Sequence, residues 1–150
     1  MLLLARFEHL SPRTLEEALR MIGDPDAQAT FVGGGTDLYP SMKRGLDEPK
    51  TVVSLRDVAE LHGIRKNRGG GLTIGAMTTL RQLVLDRSVA AGYPALREAA
   101  NLVATPQIRA MATVGGNLCS DTRCNYYDQS YLWRRAVDFC LKKDGDICRV

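Results

Sequence analysis

The chain has 150 residues, of which 45% are hydrophobic and 25% are charged, a composition typical of a globular protein with one domain or two small subdomains. Its formal net charge of +3 is too small and too evenly spread to predict nucleic-acid binding. No apolar run approaches the roughly 20 residues that span a bilayer, and no secretory signal is recognisable, so we expect a cytoplasmic protein without a membrane partner.

The first 56 residues predict a small α/β unit. In chain order we expect a strand (2–8), a helix (15–22), a strand (29–32), a brief helix (37–43) and a strand (51–55). Thr14 and Glu17 have the spacing of a capping box at the start of the first helix. Alternation of strands and helices over so short a stretch favours parallel neighbouring strands.

Residues 57–150 predict a second unit. We expect a hairpin (62–75), a helix capped by Thr79, a helix (93–103) with an apolar face of Leu96, Ala99, Ala100 and Val103, a strand (112–114) and a helix (130–141). Residues 122–150 differ in composition from the rest of the chain, because they contain five of the nine aromatic residues and three of the four cysteines. We therefore interpret them as an insertion with its own site.

Two glycine-rich segments each follow a predicted strand, one at 33–36 and the other at 115–116. Backbone amides at 33–36 and 115–117 have the composition of a diphosphate cradle, to which the hydroxyls of Thr36 and Thr113 would add donors. The alternative is a pair of tight turns between packed elements. Neither segment is a dinucleotide-binding fingerprint of the Rossmann type, since Leu38 stands where its third glycine belongs.

Three motifs, in order and spacing, resemble the flavin subunits of the xanthine dehydrogenase and carbon monoxide dehydrogenase family. They are Gly33-Gly-Gly-Thr-Asp-Leu38, Gly75-Ala-Met-Thr-Thr-Leu80 and Pro106-Gln-Ile-Arg-Ala-Met-Ala-Thr-Val-Gly-Gly-Asn-Leu118. The resemblance implies an α+β, two-subdomain FAD-binding fold of the vanillyl-alcohol-oxidase and CO dehydrogenase flavoprotein type, with subdomains at 1–56 and 57–150. It also implies that the chain is an N-terminal fragment of a longer subunit.

The same resemblance implies which residues bind FAD. They are Val32, Gly33, Gly34, Gly35, Thr36, Asp37, Thr113, Gly115, Gly116, Asn117 and, near the ribose, Asp121. Two of the polar residues have an alternative role, because Asp37 is also placed to cap the short helix and Arg109 either approaches a phosphate or forms a salt bridge. No catalytic residue is expected in this chain, because in an electron-transfer subunit the cofactors carry the chemistry.

The four cysteines lie 5, 16 and 8 residues apart, at 119, 124, 140 and 148. Thiolates are ligands of iron–sulfur clusters and of structural zinc, and this spacing alone selects neither metal. Buried free thiols are the other interpretation, which we favour for Cys119. We favour metal ligation for Cys124, Cys140 and Cys148.

The cysteine-bearing segment resembles the 4-hydroxybenzoyl-CoA reductase branch of the family, whose flavin subunit has an inserted 4Fe-4S loop. That resemblance implies that Cys124, Cys140 and Cys148 are three cluster ligands and that the fourth lies beyond Val150. It further implies electron transfer from ferredoxin through the cluster and FAD to a 2Fe-2S subunit and a molybdopterin-containing subunit, for reductive dehydroxylation to benzoyl-CoA.

Two other functions remain open at the level of sequence. One is the flavin subunit of a xanthine or CO dehydrogenase-type hydroxylase, which oxidises its substrate and passes electrons to NAD or quinone. The other is a zinc-stabilised, non-enzymatic binding module in which the glycine segments are only turns. Flavin, iron and zinc contents of the purified protein distinguish the three.

Overall fold

A computed structural model describes residues 3–150, which form five strands and eight α-helices. The strands are β1 (Glu8–Leu10), β2 (Ala29–Val32), β3 (Thr51–Ser54), β4 (Ile64–Lys66) and β5 (Leu72–Ile74). The helices are α1 (Leu15–Ile22), α2 (Leu38–Lys43), α3 (Leu80–Leu85), α4 (Arg87–Gly92), α5 (Pro94–Leu102), α6 (Pro106–Met111), α7 (Val114–Leu118) and α8 (Tyr131–Ala136). Within the described residues no helix has the length and apolar character needed to cross a membrane.

The first three strands form a parallel sheet in the order β1-β3-β2, which confirms the predicted parallel arrangement. The central strand β3 is buried along its whole length, because it has a neighbour on each side. Val52 packs with Val32 and Met42 in the core beneath the sheet. The capping box of Thr14 and Glu17 is also confirmed at the start of α1.

The predicted first strand is wrong in position. Met1 and Leu2 lie outside the described residues, and residues 3–7 have no regular structure. Pairing starts only at Glu8, opposite Thr51, because the partner strand β3 begins there. Leu3 and Leu4 are exposed, so they are not part of this core.

The second region is built on an antiparallel hairpin, β4–β5, and on helices α3 to α6. Its core contains Leu80, Leu83, Val89, Ala100 and Ala112. The predicted cap of α3 is confirmed, because Thr79 and Gln82 form a capping box.

The predicted apolar face of α5 is only partly correct. Ala100 is buried and Val103 is half-buried, whereas Leu96 and Ala99 are exposed. The error arises because α5 packs mainly against α3 and α4, and Leu96 and Ala99 remain accessible to solvent.

The predicted strand at 112–114 is wrong. Ala112 accepts the Leu80 N–H and Val114 donates to Thr78, so this stretch makes a single antiparallel bridge and no ladder. Thr113 then caps α7, and its side chain accepts a hydrogen bond from the Gly116 N–H. Threonine is a favourable N-cap residue, and its hydrogen bond from the Gly116 N–H prevailed over the β-branched pattern.

The predicted helix at 130–141 is too long. Helix α8 ends at Ala136, because Asp138 and Phe139 take φ values of +61° and +54°, in the left-handed region. The chain then turns back on itself, with Cys140 accepting backbone hydrogen bonds from Lys143 and Gly145. Arg134, at 5% exposure, forms an ion pair with Asp144 inside this turn.

Candidate functional site

One cavity of about 750 Å³ lies between the two glycine segments. Of the residues predicted to bind the cofactor, Val32, Gly33, Gly34, Gly35, Thr36, Asp37, Thr113, Gly116, Asn117 and Asp121 line it. Gly115 lies against Ala76. The fold therefore brings together two segments that are about 80 residues apart in the chain.

The first wall of the cavity is the glycine loop, defined here as residues 33–36. It connects the end of β2 to α2, and Gly35 has a φ of +71°, which glycine adopts without steric cost. Among the hydrogen bonds of the described residues, none uses the N–H of Gly33, Gly34, Gly35 or Thr36. Four successive unpaired donors beside a cavity are the donor set that a phosphate or diphosphate requires.

The glycine loop also contacts the other side of the cavity, at Met111 and Thr113. A Cβ at Gly34 would be 1.8 Å from the Met111 carbonyl oxygen, and one at Gly33 would be 2.6 Å from Thr113 Oγ1. Both glycines therefore have a packing role in addition to any role as donors. The tight contact between elements is thus confirmed for the glycine loop, and the diphosphate cradle stays a prediction.

The second wall is defined here as residues 112–121, and its backbone amides are used internally. Gly115 N donates to the Ala76 carbonyl at 2.8 Å, and Asn117 N donates to the Thr113 carbonyl at 2.9 Å. Gly116 N donates to Thr113 Oγ1 at 3.2 Å. The amides of 115–117 thus have partners within the protein. Their part in a diphosphate cradle stays a prediction, and this wall also offers side chains such as that of Asn117.

Two ion pairs join α2 to the residues that follow the second wall. Asp37 stands at the N-cap position of α2 but makes no capping hydrogen bond, contrary to one of its predicted roles. Its carboxylate instead pairs with Arg123. Arg44 forms a second ion pair with Asp128 at 3.1 Å.

Asp121 lines the cavity, but its carboxylate is already occupied. It accepts hydrogen bonds from Lys142 Nζ at 2.7 Å, from the Thr122 N–H and from the Tyr127 hydroxyl. The Lys142 bond, followed by that of Tyr127, holds the pKa of Asp121 well below its usual range, and the same carboxylate raises the pKa of Tyr127 to about 12. A ribose hydroxyl would have to share Asp121 with these partners.

The sequence did not indicate the apolar part of the cavity. Val103, Ala104 and Ile108 line it at the turn between α5 and α6. Thr105-Pro106 correctly predicts that a helix breaks there, but no local pattern shows that the turn faces the glycine loop. Arg109 forms no salt bridge among the described residues and donates instead to the carbonyl oxygens of Val103 and Ala104.

The cysteines predicted as metal ligands lie in different environments. Cys140 is buried, Cys148 is exposed, and half-buried Cys124 accepts a hydrogen bond from the Tyr126 N–H at 3.4 Å. In residues 3–150 no three side chains of His, Cys, Asp or Glu come close enough to hold a metal ion. The three thiols as arranged do not fit an iron–sulfur cluster.

Comparison with protein families matches residues 5–128 to the family described as the FAD binding domain in molybdopterin dehydrogenase. The carbon monoxide dehydrogenase medium chain of Hydrogenophaga pseudoflava is 37% identical over 113 residues, which are 75% of this chain and 39% of that protein. The xanthine dehydrogenase FAD-binding subunit of Escherichia coli O157:H7 is 39% identical over 107 residues, covering 71% of this chain and 36% of that subunit. The chain thus spans less than half the length of these relatives.

Two solved structures are also similar to this chain in fold. The structure of the H. pseudoflava carbon monoxide dehydrogenase that lacks the Mo-pyranopterin moiety matches with a TM-score of 0.73 and 36% identity, over 77% of this chain and 40% of that one. Quinoline 2-oxidoreductase from Pseudomonas putida 86 matches with a TM-score of 0.73 and 33% identity, over the same shares of the two chains.

Proposed function

Because the chain belongs to the family of FAD-binding domains in molybdopterin dehydrogenases, we propose that it forms the FAD-binding part of the flavin subunit of a molybdenum hydroxylase. The similarity to the solved relatives confirms the predicted FAD-binding fold of the CO dehydrogenase flavoprotein type. We keep the predicted division into subdomains at 1–56 and 57–150 as part of the proposal.

The observation that carries this function is the set of four unpaired amides, at Gly33, Gly34, Gly35 and Thr36, beside a cavity of about 750 Å³. These amides would bind the FAD diphosphate, because successive N–H groups in a turn form a concave site for anions. The apolar turn that contains Val103 and Ala104 would contact an uncharged part of the cofactor. FAD, when bound, supplies the redox chemistry, and the protein positions it.

The test is a binding comparison on the protein produced from its complete reading frame. FAD, FMN and riboflavin are titrated against it, and flavin fluorescence is followed. We expect FAD to bind much more tightly than riboflavin, because only FAD carries the diphosphate that the glycine loop would hold. Equal affinity for riboflavin, or zinc without flavin in the purified protein, would contradict the proposal.

The proposed partners are a molybdopterin-containing subunit and a 2Fe-2S subunit. The support is the naming of the relatives as a medium chain and as an FAD-binding subunit, which describes proteins that act within larger complexes. Affinity purification of the protein from its own cells, with metal analysis of what accompanies it, tests this. Molybdenum and iron in the co-purified material are the expected result.

As a finer assignment we propose a 4-hydroxybenzoyl-CoA reductase type of enzyme, with ferredoxin as donor and a 4Fe-4S cluster on this subunit. The support is the spacing of Cys124, Cys140 and Cys148, two of which follow the end of the family match at residue 128. Since these thiols are not assembled into a ligand set here, the assignment requires a rearrangement of the segment and a fourth ligand.

Iron and sulfide analysis of the anaerobically prepared protein tests the cluster. We expect iron in the natural protein, its loss in Cys140→Ser, and its retention in Cys119→Ser as the matched control. FAD without iron would contradict the cluster assignment but not the proposed FAD site. Reduction of NAD by the intact complex would favour the hydroxylase alternative.

A further inference from the structure

The turn between α5 and α6 contains only Val103, Ala104 and Thr105. Ala104 has a φ of +43°, in the left-handed region that an alanine avoids because its Cβ approaches a backbone oxygen. Val103 and Ala104 line the cavity. An unfavourable backbone conformation therefore lies in the apolar part of the cavity wall, and something must hold it there.

Arg109 makes the contacts that hold the turn. One of its guanidinium nitrogens, Nη1, donates to the Val103 carbonyl oxygen at 2.8 Å and to the Ala104 carbonyl oxygen at 3.0 Å. The backbone N–H of Arg109 donates to the Thr105 carbonyl at 2.9 Å. All three carbonyl oxygens of the turn are thus bound by one residue in the last turn of α6.

Arg109 lies on the other side of the turn from the cavity. It lines a separate cleft of about 370 Å³ together with Arg81, Val84 and Leu85. Because Arg109 binds the carbonyl oxygens of Val103 and Ala104 from this side, those oxygens face away from the cavity. The turn therefore presents the apolar side chains of Val103 and Ala104 to the cavity, while its carbonyl groups are held by a cationic donor.

We infer that Arg109 is a positioning residue for the cofactor cavity, which fixes Ala104 in the left-handed conformation and turns the two carbonyl groups outward. The inference rests on the proposed FAD site. It assigns to Arg109 a role through the shape and polarity of the wall, and none in contact with the diphosphate.

The experiment compares FAD affinity in the complete protein and in Arg109→Met. We expect the dissociation constant to rise about 10-fold, since a hydrogen bond from a charged donor is among the stronger ones and two are lost. The absorption and circular dichroism of the bound flavin should also change, because its surroundings change. Arg109→Lys, which keeps a cationic donor, should lose less affinity and serves if Arg109→Met does not fold.

A second-site substitution separates positioning from a merely structural role. In Arg109→Met with Ala104→Gly, the dissociation constant should return to within about 3-fold of the natural value, because glycine holds a positive φ without help. Arg97→Met is the matched control. Arg97 Nε also donates to a backbone carbonyl, that of Val84 at 3.0 Å, but it lies away from the cavity. We expect no change in FAD affinity there.

Three results would overturn the inference. They are unchanged FAD affinity in a folded Arg109→Met protein, failure of Ala104→Gly to restore affinity, and an equal loss in Arg97→Met. If the natural protein binds no FAD, the proposed function fails first and the inference fails with it.

Discussion

Both walls of the cavity contain a Gly-Gly pair, but the backbone N–H groups around the two pairs differ in their hydrogen bonds. In the glycine loop, the N–H groups of residues 33–36 have no partner among the described residues. In the second wall, Gly115, Gly116 and Asn117 donate to Ala76 and Thr113. The backbone donors of the first wall are free of partners in the described part of the chain, whereas those of the second are bound within the protein.

This difference shows that a glycine pair does not define a phosphate site by itself. What decides is whether nearby groups supply acceptors for the amides. The Ala76 carbonyl and the Thr113 side chain do so for the second wall. In the glycine loop the Met111 carbonyl and Thr113 Oγ1 lie close to Gly34 and Gly33, but no amide of the loop donates to them. Substitutions in the two walls test this division of roles, and they are ordered here by decreasing expected effect.

The largest effect is expected for Gly34→Ala, because the new Cβ would push the glycine loop away from Met111, the residue directly before the second wall. Its Cβ would lie 1.8 Å from the Met111 carbonyl oxygen, and a backbone atom cannot easily move away. We expect the free energy of unfolding to fall by about 3 kcal/mol and FAD binding to be lost. Chemical denaturation and flavin titration measure the two effects.

Gly69→Ala is the control for that substitution. Gly69 has open space around its Cβ position, so the stability and the FAD affinity should stay unchanged. A Gly34→Ala protein as stable as this control would show that the walls do not touch as described.

Gly115→Ala tests the second wall. Its Cβ would lie 2.8 Å from the Ala76 Cβ and 2.9 Å from the Ala76 oxygen. We expect a loss of about 2 kcal/mol in unfolding free energy, with FAD affinity in the folded protein nearly unchanged. If FAD affinity instead fell as steeply as in Gly34→Ala, the division of roles would be wrong.

Thr113→Val removes the acceptor for the Gly116 N–H while keeping the side-chain volume. We expect a loss of about 1 kcal/mol, the usual contribution of an N-cap side chain. Thr113→Ser keeps the hydroxyl and should retain most of the stability. Thermal unfolding of the two variants side by side measures the difference.

The smallest effect concerns pH. The pKa of Tyr127 is raised to about 12 by Asp121, so its contribution to stability is complete below pH 10 and is lost as the pH rises toward 12. The pKa of Asp121 is lowered, so its contribution is present above its ordinary value of 3.8 and is lost as the pH falls.

Asp121 is exposed and Tyr127 is half-buried, so solvent weakens their interaction and we expect less than about 1 kcal/mol from each. Tyr127→Phe should abolish the alkaline part of the pH dependence, and Asp121→Asn should abolish both parts. Denaturation midpoints of the three proteins across the pH range measure this. An alkaline limb that survives in Tyr127→Phe would assign it to another group.

Local signals predicted the local structure well. The capping residues Thr14 and Thr79 and the positions of β2 and α1 follow from the identity of a few neighbouring residues, and the structure confirms them. The strand at 112–114 was wrong, because Val114 has high β propensity but lies after a helix cap. The early end of α8 depends on Asp138 and Phe139 with positive φ, which the residue types do not indicate.

The site was predictable to a different degree. The glycine motifs lie in both walls, because the backbone approaches of Gly34 to Met111 and of Gly115 to Ala76 leave no room for a Cβ. The apolar wall at Val103 and Ala104 was not predictable, since it depends on contacts between distant parts of the chain. For the same reason, no spacing rule revealed that Arg123 pairs with Asp37 across 86 positions.

The two ion pairs between the ends of α2 and the residues after the second wall have a consequence for folding during synthesis. Arg44 and Asp128 are 84 positions apart, and Asp37 and Arg123 are 86 apart. On the ribosome the glycine loop therefore emerges long before its opposite wall, and the cavity can close only after residue 128 is made. Such long loops are slow to close. Until then the unpaired amides of the loop face water, and a ligand that bridges both walls would favour the finished fold by mass action.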